Sequence, residues 1–242
     1  MEHWTQERYD AFRRELYAQQ EEAYRQFHTK LLRSDLPVIG LRAPLLRKIA
    51  AEIAKEDGAG FLRICGRETY EERLLYGLVA AALPVSYAEF LPYCDTYTET
   101  IVENWAHCDG FCASLKKRIK GHEAEFFEHI KRYLASENPW AVRVGLILML
   151  NYYLTPAYLP AVLERTDAVQ SEQYYVRMDR RGCWQRLGRR TGVPAGRIFL
   201  IIIWMLGYSV SSFRRRASPI VFRRRIRHIC AACGRNERDS LL

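Results

Sequence analysis

Apolar residues recur every three or four positions, segment after segment, through the first 178 residues of this 242-residue chain. That is the helical period, and no stretch of these residues shows the alternation of a half-buried strand. From Thr5 to about Leu32, the series Tyr9, Phe12, Leu16, Tyr24, Phe27 and Leu31 predicts one long amphipathic helix. The segment Ser34 to Ala43 breaks it with Pro37 and Gly40. Pro44 then opens a helix whose predicted inner face is Leu45, Ile49 and Ile53, and a short helix is expected from Gly60 to Cys65.

Further helices are predicted over Tyr70 to Leu83, Tyr87 to Cys94, Thr100 to Ile119, His122 to Ala135, Trp140 to Leu154 and Tyr158 to Arg165, with another beginning at Ser171. Gly121 is the expected terminator of the third of these and Ser136 a cap for the fifth. Eight or nine helices of about 10 to 20 residues, in pairs about 35 to 45 residues apart, match the periods of helical repeats. The reading is all-α: an α-α superhelix stacked from antiparallel pairs, with a compact bundle as the rival.

Charge divides the chain sharply. Residues 179–242 carry fifteen Arg, no Lys and three acids, a net of +12, whereas the whole chain is only +9, so residues 1–178 are net −3. The high isoelectric point is therefore no argument that the body binds a polyanion; any such surface must come from local clustering. Two domains are expected, a helical-repeat body over 1–178 and an Arg-rich tail over 179–242. The abrupt switch to Arg without Lys is what a shifted reading frame of an ancestral gene would produce, and translating the other two frames tests that.

The tail's apolar run Ile198 to Leu206 is too short for a membrane span, and His228, Cys230 and Cys233 supply half a zinc site at best. No metal or organic cofactor is expected. The seven cysteines are odd in number and sit mostly in apolar helical patterns, which with no signal sequence points to a reducing cytoplasm.

The stretch Ile101 to Lys120 concentrates the chemistry. Read as a helix, it puts Trp105 and Asp109 on one face, four residues apart, with Val102, Cys108 and Cys112 inward. Lys116, Lys117, Arg118 and Lys120 follow as a cationic run that a polyanion could meet, though such runs are usually solvated faces. Arg47 and Lys48 lie opposite the predicted inner face of their helix. Arg143 sits in the most apolar helix, where its simplest role is an ion pair with an acid on a neighbouring helix, Asp109 among the candidates. Glu71 and Glu72 read as surface or capping residues.

Several segments in this order resemble the DNA alkylation repair family of HEAT-like repeat proteins: Ile39-Gly-Leu-Arg-Ala-Pro-Leu-Leu-Arg-Lys48, Tyr70-Glu-Glu-Arg-Leu-Leu75, Asn104-Trp-Ala-His-Cys-Asp-Gly-Phe-Cys112, Trp140-Ala-Val-Arg-Val144 and Tyr174-Tyr-Val-Arg-Met178. The resemblance implies an α-α superhelix with double-stranded DNA in its concave groove, and a glycosylase that removes cationic N3- or N7-alkylated purines without turning the base into a pocket. It places the catalytic carboxylate on Asp109, a groove tryptophan on Trp105 and a DNA-contacting arginine on Arg143. Arg47, Lys48, Lys116, Lys117 and Lys120 would then stand near phosphates, with the protein working as a monomer. After Met178 the likeness ends, and Trp184 is out of register for the family's second groove tryptophan. Rival readings are a noncatalytic DNA-binding repeat protein and a protein-interaction scaffold.

Overall fold

The computed structural model describes residues 3–32, 34–169 and 176. These residues form ten α-helices and one π-helical turn, and no strand occurs among them. The chain divides into two compact units, Met1–Tyr152 with Ser171–Val176, and Tyr153–Gln170 with Arg177–Leu242. The first unit holds α1 (Gln6–Ala18), α2 (Glu22–Leu32), α3 (Ala43–Ile64), α4 (Tyr70–Ala82), α5 (Tyr87–Thr96), the π-turn Tyr97–Ile101, α6 (Trp105–Ser114), α7 (Lys116–Ile119), α8 (Glu123–Leu134) and α9 (Pro139–Tyr152). The described part of the second unit contains α10 (Leu159–Ala168). The domain boundary expected near residue 178 lies outside the described residues.

Local chemistry sets most helix starts. Thr69 and Glu72 close a reciprocal capping box on α4, as Ser86 and Glu89 do on α5, satisfying backbone N–H groups that an uncapped first turn would leave open. In the first unit α3 packs on α4 and α8 on α9, while α4, α6 and α9 stand side by side as successive neighbours. This is the stacked α-α superhelical plan. Its core is continuous through α9, where every residue from Ala141 to Leu150 is buried, Arg143 included.

Several expectations are corrected. The single helix over 5–32 is two, because the N–H groups of Gln19 and Gln20 turn back to Leu16 and Tyr17 and that of Glu21 bonds the carbonyl of Gly40. The break resets the helical phase: Tyr9 and Leu16 face inward as expected, but in α2 the buried residues are His28 and Leu32, and Phe27 and Leu31 are exposed. In α3 the inner face is Leu46, Ala50 and Ile53, one position on from Leu45 and Ile49, which line a cleft against α1. The separate short helix at 60–65 is the far arm of α3, beyond a kink at Asp57 whose carboxylate accepts the Gly60 N–H at 2.9 Å.

Neither Glu71 nor Glu72 is a surface residue. Glu72 caps α4 while buried, and Glu71 accepts the backbone N–H groups of Ile39, Gly40 and Leu41 at 2.9, 2.8 and 3.2 Å, tying the 34–42 connection to α4. Gly40 is required there, with φ +100°, a conformation that side chains with a Cβ rarely adopt. Gly121 likewise has φ +86°, beyond the end of α7.

Candidate active site

The helix predicted to begin near Thr100 begins instead at Trp105. Residues Tyr97–Ile101 close as a π-turn, and Asn104 adopts an extended conformation and becomes the N-cap of α6. A small hydrogen-bonded ring then locks the first turn. The Asn104 carbonyl oxygen Oδ1 accepts the His107 N–H at 2.9 Å, and Asn104 Nδ2 lies 3.0 Å from His107 Nδ1. On its far side His107 Nε2 lies 2.9 Å from the carbonyl oxygen of Tyr70, which can only accept. His107 therefore carries its proton on Nε2, and Nδ1 accepts from Asn104.

The imidazole is fully buried and stacked on Tyr70, with centroids 4.7 Å apart. Burial pushes its pKa down to about 4, against the pull of the Tyr70 carbonyl and with the charges of Arg73 and His28 helping to lower it. Neither Asn104 nor His107 was singled out from sequence. The signal was present, since an Asn one residue before a helix and three before a His is a capping arrangement.

From this fixed start α6 presents Trp105 and Asp109 on one partly exposed face, with His107, Cys108, Phe111 and Cys112 buried behind. The inward placing of Val102, Cys108 and Cys112 follows the sequence reading. Behind Asp109 lies Arg143 of α9, whose Nη2 donates to Asp109 Oδ1 at 2.9 Å. The pair is lopsided: the Asp109 side chain is 44% exposed and that of Arg143 only 2%. The guanidinium is thus a fixed buried donor that orients the carboxylate, and the carboxylate keeps an open side. Gly110 sits beside Asp109 where a Cβ would come within 3.1 Å of Leu74, so α6 and α4 approach closely at the site.

The expected cations separate. Lys116, Lys117 and Lys120 are exposed on and just after α7, but Arg118 between them is half-buried and structural, donating to the carbonyls of Ala81 and Val85 at 2.9 and 2.8 Å. Arg47 and Lys48 are both exposed on α3 and face different clefts. Arg47 lines one with Lys55, Lys117 and Arg118, whereas Lys48 lines another with Glu15, Glu52 and Glu56. Lys55, eight residues from Arg47 on the same stripe, was not picked out from sequence.

Among the described residues no group of three or more His, Cys, Asp or Glu could hold a metal ion, and no helix is long and apolar enough to cross a membrane. Cys65, Cys94, Cys108 and Cys112 are buried free thiols. Trp184, the apolar run at 198–206 and the His228, Cys230, Cys233 group lie outside the described residues.

Neither a curated protein nor a solved structure matches this chain. The family described as DNA alkylation repair enzyme does match, over residues 12–168, a span that runs from α1 to the end of α10 and includes Trp105, Asp109 and Arg143. With well over half its length so matched and its described residues all-helical, the chain belongs to the DNA alkylation repair enzyme family, whose work is the repair of DNA.

Proposed function

We propose that this protein is a DNA glycosylase that hydrolyses the N-glycosidic bond of cationic alkylated purines, of the 3-methyladenine and 7-methylguanine type, in double-stranded DNA. One observation carries the reading: a carboxylate anchored from below by a buried guanidinium, open on its outer side and one helical turn from an indole.

N3- or N7-alkylation makes the purine cationic and weakens its bond to the sugar, and cleavage passes through a sugar with oxocarbenium character, as in glycoside hydrolysis. A carboxylate held in place beside that sugar stabilises the developing positive charge and positions water. Asp109 takes that role. Trp105 adds the attraction of a ring face for the cationic base. In this reading Arg143 is a positioning residue: it acts through Asp109 rather than reaching a phosphate, because its side chain lies inside the protein. The chemistry requires no metal or organic cofactor, and the groups on an open helix face suit a lesion approached without a deep base pocket.

The test is release of free 3-methyladenine or 7-methylguanine from alkylated duplex DNA by the purified full chain. Asp109→Asn keeps an oxygen for Arg143, so the fold should persist by circular dichroism while base release falls by about 10²- to 10³-fold. DNA binding that weakens steeply with salt but yields no free base would favour a noncatalytic binding protein, and absence of both a scaffold.

A further inference from the structure

The cleft between α1 and α3, of about 480 Å³, is a groove with an apolar floor and carboxylates on both walls. At one end Arg8 Nη2 meets Glu56 at 2.8 Å, and just beyond it His3 and the Trp4 N–H reach Asp57, so α1 and α3 run antiparallel along the groove. The lining extends from Arg8 to Gln19 on one side and from Leu45 to Glu56 on the other, about 16 Å of helix on each, or three turns. Between the walls lie Ala11, Phe12, Leu45 and Ile49, none of them fully buried. No lining residue comes from α4, α6 or α9, the row that carries Asp109 and Arg143.

Arg8 and Glu56 satisfy each other, which leaves Glu15 on one wall and Glu52 with Lys48 on the other. Glu15 and Glu52 are exposed, and neither forms an ion pair among the described residues. Carboxylates on both walls repel a phosphate chain and attract cationic side chains. An apolar strip three turns long between two helices is the receptor half of helix-in-groove recognition, in which a third helix sets apolar anchors at i, i+3 or i+4 and i+7. The Trp4 indole N–H, in the lining at the Arg8 end, is shut off from water and has no hydrogen-bond partner among the described residues. A free carbonyl at the last turn of a docked helix would give it an acceptor.

We infer that the α1–α3 groove docks an amphipathic helix of a partner protein, about three turns long, whose apolar stripe covers Phe12 and Ile49 and whose flanking Lys or Arg side chains meet Glu15 and Glu52. The inference does not depend on the reaction proposed at Asp109. A contact of this size buries less than about 1,200 Å² and belongs with weak, transient interfaces.

Fluorescence anisotropy with the full chain and a labelled Leu/Lys peptide of about 14 residues, patterned as an amphipathic helix, tests it. The controls are the same residues shuffled to remove the helical period and a Leu/Glu peptide of the original pattern. The patterned Leu/Lys peptide should bind at least about tenfold more tightly than either. Combining Glu15→Lys with Glu52→Lys, with folding checked by circular dichroism, should reverse the preference: the Leu/Glu peptide gains binding and the Leu/Lys peptide loses it. Equal binding of patterned and shuffled peptides, no binding by the unaltered chain, or a folded double variant that does not gain the Leu/Glu peptide would overturn the inference. So would a shallower salt dependence of duplex DNA binding in Lys48→Gln, which would give the groove to nucleic acid.

Discussion

Lowering the pH should unlock the start of α6 through one residue, His107. Its imidazole is neutral in the fold, accepting from Asn104 at Nδ1 and donating to Tyr70 at Nε2; a second proton on Nδ1 would point at the amide hydrogens of Asn104. The folded pKa is depressed to about 4 from an unfolded value of 6.5. Because the neutral form is the one the fold holds, the stabilisation is complete above about pH 6.5 and is lost as pH falls toward 4. At about 1.4 kcal/mol per unit, the difference amounts to about 3 kcal/mol by pH 4.

The control is His107→Gln, which fills much of the same space and does not titrate. Urea unfolding at half-unit intervals from pH 7 to pH 4 gives both stability curves. The carboxylates and His28 titrate in both proteins, so the difference between the curves isolates residue 107. Wild type should lose about 3 kcal/mol relative to the variant across this range. Curves parallel to within about 0.5 kcal/mol would refute the reasoning, since the ring would then titrate alike in both states.

Glu71→Ala should destabilise by at least about 3 kcal/mol, because three buried N–H groups lose their acceptor; Glu71→Gln, which keeps one oxygen, should lose less, and equal losses in urea melts would sink the account. Gly77→Ala should lower stability by about 2 kcal/mol despite alanine's better helix propensity, since the added Cβ would lie 2.5 Å from the buried Tyr97 ring; an unchanged or raised melting temperature would contradict this.

The all-helical class, most helix positions and the motif carrying Trp105 and Asp109 are legible in the residues, because helical period, proline breaks and i, i+4 spacing are local properties of the chain. Which stripe of α2 and α3 faces inward was not legible, since both helices offer two apolar phases and only the neighbour chooses: Tyr70 meets His28 edge-on, and α3, packed on α4, buries Leu46 and Ala50. Glu71 read as a surface or capping residue because nothing local announces that three amides of a loop about 30 residues away converge on it.

The site shows the same division. That an indole and a carboxylate share a helix face follows from four residues of spacing. The sequence offered Asp109 as a partner for Arg143 among other acids; that this pair forms, with the guanidinium buried and the carboxylate open, and that Arg47 and Lys48 face different clefts, only the packing decides. Charges adjacent in sequence lie about 100° apart on a helix, so whether they meet one partner depends on what packs between them.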